Sequence, residues 1–202
     1  MRKAFFLLLI LSFVFLGFKI YGEKIKFWTK QTRFDKALEF EKSLNRKYKR
    51  LSMDVSLSES VYPLINKYKI AQPIIIERKQ TGFLPMYAEY FYSEVDSVLR
   101  YINYDWEKDK YGDFSKKQVI WKEEDRKLNV YSYEYDKIKA QLITQLGKPM
   151  YQDKEPMVYM KIGEREHPAR KTVWENDKHY SELWMIFGLN GYRIRWSYYW
   201  KN

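Results

Sequence analysis

The chain has 202 residues, 46% hydrophobic and 19% aromatic, with a net charge of +11. That much apolar matter fills a core, so composition excludes a disordered chain. Cysteine is absent, which removes disulfide frameworks, zinc–thiolate sites, thiol nucleophiles and lipid attachment through cysteine.

Met1, Arg2 and Lys3 form a short positive start, and residues 4–18 are apolar except for Ser12, with Lys19 closing the run. At ~1.5 Å per residue the run spans about 22 Å, short of the ~30 Å hydrocarbon core. Residues 1–22 are therefore expected to be a signal peptide cleaved after Gly22, leaving residues 23–202 as a single α+β domain. If Lys19 snorkels, residues 4–22 reach across the bilayer as an uncleaved membrane anchor instead. Either outcome exports the bulk of the chain to a periplasmic or extracellular space. Cleavage removes Arg2, Lys3 and Lys19 and no acid, so +11 falls to +8. Such a balance suits anionic partners, but the cations are spread along the chain rather than gathered in one tract, which argues against nucleic acid.

In chain order, Thr32-x-x-Asp35 reads as a helix cap, followed by Ala37, Phe40, Leu44 and Tyr48 at helical spacing, so a helix is expected over 33–50. A shorter helix broken by Pro63 is expected over 57–70. Ile74, Ile75 and Ile76 read as a buried strand, and aromatic strands are expected at 86–93 and 98–106. Residues 107–116 read as a charged loop, 118–122 as a short strand and 123–127 as a solvated turn. Tyr135, Ile138, Leu142 and Leu146 mark a helix ended by Gly147 and Pro149. Strands follow at 157–162, 171–175, 180–188 and 192–200.

For the last pair, Asn190-Gly191 is the preferred two-residue hairpin turn. It sets Phe187 opposite Ile194, Met185 opposite Trp196 and Leu183 opposite Tyr198, all on one face that should meet the helix ending at Gly147. The fold class expected is α+β, with helices packed on antiparallel sheets. The order helix, strands, helix, strands suggests two related halves, about 33–106 and 133–200.

No nucleophile elbow, phosphate-binding glycine loop or dinucleotide fingerprint occurs. Glu164, Glu166 and His167 precede Pro168, and Glu182 follows His179; in extended chain, neighbours in each set point to opposite faces, so no metal is assigned. Asp105, Glu107 and Asp109 resemble a calcium loop, but Lys110 and Lys116 stand where glycine and glutamate are required. Glu123, Glu124 and Asp125 read as a solvated face. No catalytic residue and no cofactor follow.

The positive signal is the second face of the final hairpin, with Glu182, Trp184, Ile186, Arg193, Arg195, Ser197 and Tyr199. Trp184 and Tyr199 offer stacking surface, and Arg193 and Arg195 offer fork donors. These four are the expected binding residues of an exported non-catalytic protein whose partner is an envelope or extracellular protein, a glycan or an anionic lipid surface. An exported hydrolase using a carboxylate pair is the alternative, and a nucleic-acid-binding protein the third reading.

Overall fold

The computed structural model describes residues 24–44, 49–80, 82–112, 116–162, 165–188 and 191–202. The expected signal peptide or anchor lies outside them. The helical elements are α1 (Phe34–Ser43), α2 (Lys117–Glu124) and α3 (Leu128–Leu146). The strands are β1 (Lys49–Leu51), β2 (Ile74–Arg78), β3 (Met86–Tyr92), β4 (Leu99–Trp106), β5 (Tyr151–Gln152), β6 (Met157–Ile162), β7 (Arg165–Glu175), β8 (His179–Gly188) and β9 (Gly191–Trp200).

Among the described residues these nine strands form one antiparallel sheet in the order β1-β2-β3-β4-β9-β8-β7-β5, with β6 added to β7. The chain lays down β1 to β4 from one edge to the middle, then β5 to β9 from the other edge back to the middle. The last strand of each run, β4 and β9, meet antiparallel with Tyr104 opposite Trp196. Among the described residues no helix is long and apolar enough to cross a membrane.

One face of the sheet carries the main core. Tyr104 stacks on Trp196 at 5.3 Å, and Phe27, from the chain ahead of α1, inserts edge-on between them and Trp106. Tyr131, Tyr135, Ile138 and Leu142 of α3 are buried in the same cluster as Leu183, Met185, Phe187, Ile194, Trp196 and Tyr198. Gly147 ends α3 at φ +86 and ψ −166, an extended positive-φ conformation that only glycine takes without strain. Arg170 grips Asp136 of α3 with both guanidinium arms, at 2.8 and 3.0 Å.

Several expectations are corrected. The hairpin register is shifted by two residues: Phe187 faces Tyr192, Met185 faces Ile194 and Leu183 faces Trp196. A slip of two preserves which side chains share a face, so the hydrophobic pattern could not detect it, and all six expected core residues are buried. Gly188 pairs with Gly191, so the connection is Leu189-Asn190, outside the described residues, rather than Asn190-Gly191. Gly191 sits at φ +93, and a Cβ there would lie 2.4 Å from Glu124 Cβ. Packing against α2 thus fixes the glycine just past the turn.

Helix α1 stops at Ser43 rather than near 50, and residues 49–51 pair with β2 instead, with Lys49 2.7 Å from Glu77. The Thr32 cap does not form. The Thr32 carbonyl accepts from Leu99, and Phe34 N–H donates to the Ser97 carbonyl, so the sheet claims the chain before the helix begins. Between 57 and 70 only Ile65–Lys67 is helical, a single 3₁₀ turn after Pro63. The run 118–122 lies within α2, the usual helix–strand ambiguity of a short apolar stretch. Glu124, expected in solvent, is 1% exposed and accepts from Tyr131 at 2.7 Å and Lys127 at 2.8 Å. The strand expected at 171–175 begins six residues earlier, at Arg165.

Candidate binding face

Alternation along the strands sends Tyr87, Glu89 and Phe91 of β3, Tyr101, Asn103 and Asp105 of β4, Arg193, Arg195, Ser197 and Tyr199 of β9, and Tyr180, Glu182 and Trp184 of β8 to the second face. Residues from two loops cover part of it. The segment around the 3₁₀ turn puts Tyr62, fully buried, against Tyr101 and Tyr199 at 5.8 and 5.4 Å. The loop after β4 folds Lys110 and Tyr111 down onto Glu89.

Beneath that loop lies a buried charge network. Asp105 is fully buried and accepts from Lys110 Nζ at 2.9 Å and from Arg195 Nε and Nη2 at 2.9 and 2.8 Å. Asn103 donates to Glu89 at 3.0 Å, and Ser197 hydroxyl links Asn103 to the Tyr101 hydroxyl. Burial pushes the Asp105 carboxyl up, but Lys110, Arg195 and Arg193 outweigh it and hold the group well below the usual carboxylate range. Burial likewise works against the charge of Lys110, yet Asp105 and Glu89 raise its pKa above the ordinary lysine value. The Tyr111 hydroxyl is raised by burial first and then by Glu89, so it stays protonated and donates.

The four expected binding residues do share this face, but in different surroundings. Arg195 is engaged by Asp105, and Arg193 Nη1 lies 3.3 Å from Glu107. Tyr199 is wedged between Tyr62 and Tyr180, stacking on the latter at 5.1 Å. Trp184 is half-buried, with Lys171 Nζ 4.5 Å from its ring centroid. Lys171 also pairs with Glu182 at 3.0 Å, and the Tyr180 hydroxyl donates to the same carboxylate at 2.7 Å. Lys171 and Tyr180 therefore belong to the open part of the face beside Trp184, although neither stood out in the sequence.

The partners of the arginines did leave a signal. Asp105-x-Glu107 and Arg193-x-Arg195 have the same two-residue step, which is what antiparallel neighbours need to pair acid to base twice. The two histidines lie apart along the β7–β8 hairpin: His167 is buried and stacks on Phe187 at 3.8 Å, while His179 stacks on Tyr198 at 5.1 Å. Among the described residues no three His, Cys, Asp or Glu side chains are grouped to hold a metal. Glu164, part of the histidine-flanking run, lies outside those residues. No family model, curated protein or solved structure matches this chain.

Proposed function

We propose that the chain is an exported, non-catalytic binding protein and that its contact face is the open β7–β8–β9 part of the second sheet face. The observation that carries this reading is the pairing of charge there. Lys171, Arg193 and Arg195 each hold a carboxylate within 3.3 Å, while Trp184, Tyr180 and Tyr199 stay only half-buried. A face with aromatic surface and internally neutralised cations suits an uncharged partner, a glycan or a protein surface, better than anionic head groups or nucleic acid. A glycosidase acid needs a raised pKa, and among the described residues Asp96, Asp105, Glu123 and Asp136 are held below the ordinary carboxylate value instead. That favours binding over the hydrolase alternative. The mirrored strand order supports reading the two runs as related helix-plus-sheet halves.

Affinity capture from envelope extract tests the face. A Trp184→Ala, Tyr180→Ala double variant of wild-type stability is expected to lose the partners that wild type and Arg193→Gln recover. Recovery of the same partners by all three moves the site elsewhere. Mass spectrometry of the native protein tests export: a mature chain starting near Glu23 supports it, and an intact, soluble cytoplasmic chain refutes it.

A further inference from the structure

A cleft on the opposite side of the molecule suits an anion. It has a volume of about 380 Å³ and opens between the chain ahead of α1, α1 itself and the last turns of α3. Ile25 N–H donates to Gln141 Oε1 at 3.0 Å and Trp28 N–H donates to the Tyr104 hydroxyl at 2.8 Å, which pins this lead-in segment in place. With Phe27 anchored in the core, alternation leaves Lys24 and Lys26 exposed, and both line the cleft. Phe27 and Phe40 give it an apolar wall, and Gln141, Thr144 and Gln145 give it polar groups.

No carboxylate lines the cleft among the described residues. Glu41, in the same helix as Phe40, is buried and already held by Arg78 Nε at 2.6 Å and by the Tyr90 hydroxyl. The negative end of α3 opposes an anion with about half an elementary charge, and the two full charges of Lys24 and Lys26 outweigh it. Where residues 4–22 stay in place as the uncleaved anchor, Lys24 follows Phe18 by six residues, at most about 21 Å of extended chain, which holds the cleft close to the membrane surface; after cleavage the charge of the cleft alone selects the head group.

We propose that this cleft is a binding site for a phosphate-type anion, supplied by the head group of an anionic membrane lipid. The site is independent of the aromatic face, and its failure would leave that reading untouched. The test is sedimentation of the natively processed protein with vesicles of phosphatidylglycerol mixed into phosphatidylcholine, against phosphatidylcholine alone. The protein prefers the anionic vesicles, and Lys24→Gln with Lys26→Gln lowers partition onto them about 30-fold. Lys67→Gln with Lys154→Gln, two exposed lysines away from the cleft, changes it less than about 3-fold. Thr144→Phe, which fills the cleft without altering charge, reproduces the loss, with thermal melts confirming that each variant folds. Equal losses from the two lysine pairs mean diffuse attraction and overturn the site. Saturable binding of inorganic phosphate that needs Lys24 and Lys26, without any vesicle preference, overturns the lipid source.

Discussion

Replacing Asp105 by asparagine tests the buried network at its centre. The substitution keeps the shape and an acceptor oxygen but removes one negative charge. Wild type balances Glu89 and Asp105 against Lys110 and Arg195; in the variant, two cations share one carboxylate. Lys110 and Arg195 are 11% and 24% exposed at the side chain, so water can only partly replace what is lost. Breaking a buried pair in this way costs about 3 kcal/mol, which lowers Tm by about 6–12 °C for a chain of this size. Adding Arg195→Met removes the cation whose carboxylate partner was Asp105, so in the Asp105→Asn background it should cost far less than it does in wild type.

The pH dependence has a definite sign. The folded pKa of Asp105 is depressed, so its contribution is complete above the unfolded value of ~3.9 and is lost as pH falls below it. The gap between wild type and Asp105→Asn in urea denaturation should therefore be constant from pH 7 to 5 and narrow by about 1 kcal/mol by pH 3. A gap below ~0.5 kcal/mol at pH 7, or one that does not narrow, would falsify the account of Asp105 as the ionised hub of this face.

Trp196 is fully buried, stacks on Tyr104 and donates to Ser181, so Trp196→Ala should cost about 4 kcal/mol in denaturant melts. Arg193→Ala removes the 3.3 Å contact with Glu107 and a cation near Asp105, but leaves Asp105 its two hydrogen-bonded partners, and should cost about 1.5 kcal/mol; a loss equal to that of Trp196→Ala would mean the two faces are misassigned. Phe27→Ala should cost about 3 kcal/mol because its ring lies 4.7 Å from Trp196 and 5.1 Å from Tyr104, and a chain starting at Lys30 should melt early. Burial first, then Lys201, lowers the His179 pKa below the ordinary value. The unfolded chain then binds the extra proton, and stability falls as pH drops below ~6.5. A His179→Gln variant should show a shallower slope between pH 7.5 and 5.5, and parallel slopes would assign the dependence to other groups.

Elements with strong local signals were legible. Ile74 to Ile76 are buried, Gly147 ends α3, and alternation in β8 and β9 names the core face correctly. What escaped reading was decided by distant partners. The Thr32 cap was lost to hydrogen bonds with Ser97 and Leu99, and α1 stopped short where residues 49–51 joined β2. Glu124 was drawn inside by Tyr131 and by its fit against Gly191. The hairpin register was illegible for a different reason: a slip of two leaves every side chain on its own face.

The same distinction governs the candidate binding face. Arg193 and Arg195 read from their own strand as free fork donors beside two aromatic rings. Their role depends on β4, about ninety residues earlier, because only its pairing with β9 sets Asp105 against Arg195 and brings Glu107 to Arg193. Once paired, the arginines hold the seam between the two strand runs, and the charge that made the face look anion-seeking is cancelled. Trp184, Tyr180 and Tyr199 are left as its distinguishing chemistry. The cations of the cleft lie elsewhere: Lys24 and Lys26 line it between α1 and α3, with no carboxylate in its lining among the described residues. One basic chain thereby carries a neutral aromatic face and a separate cationic cleft, and partner preference should divide along that line: uncharged surfaces at the first, anions at the second.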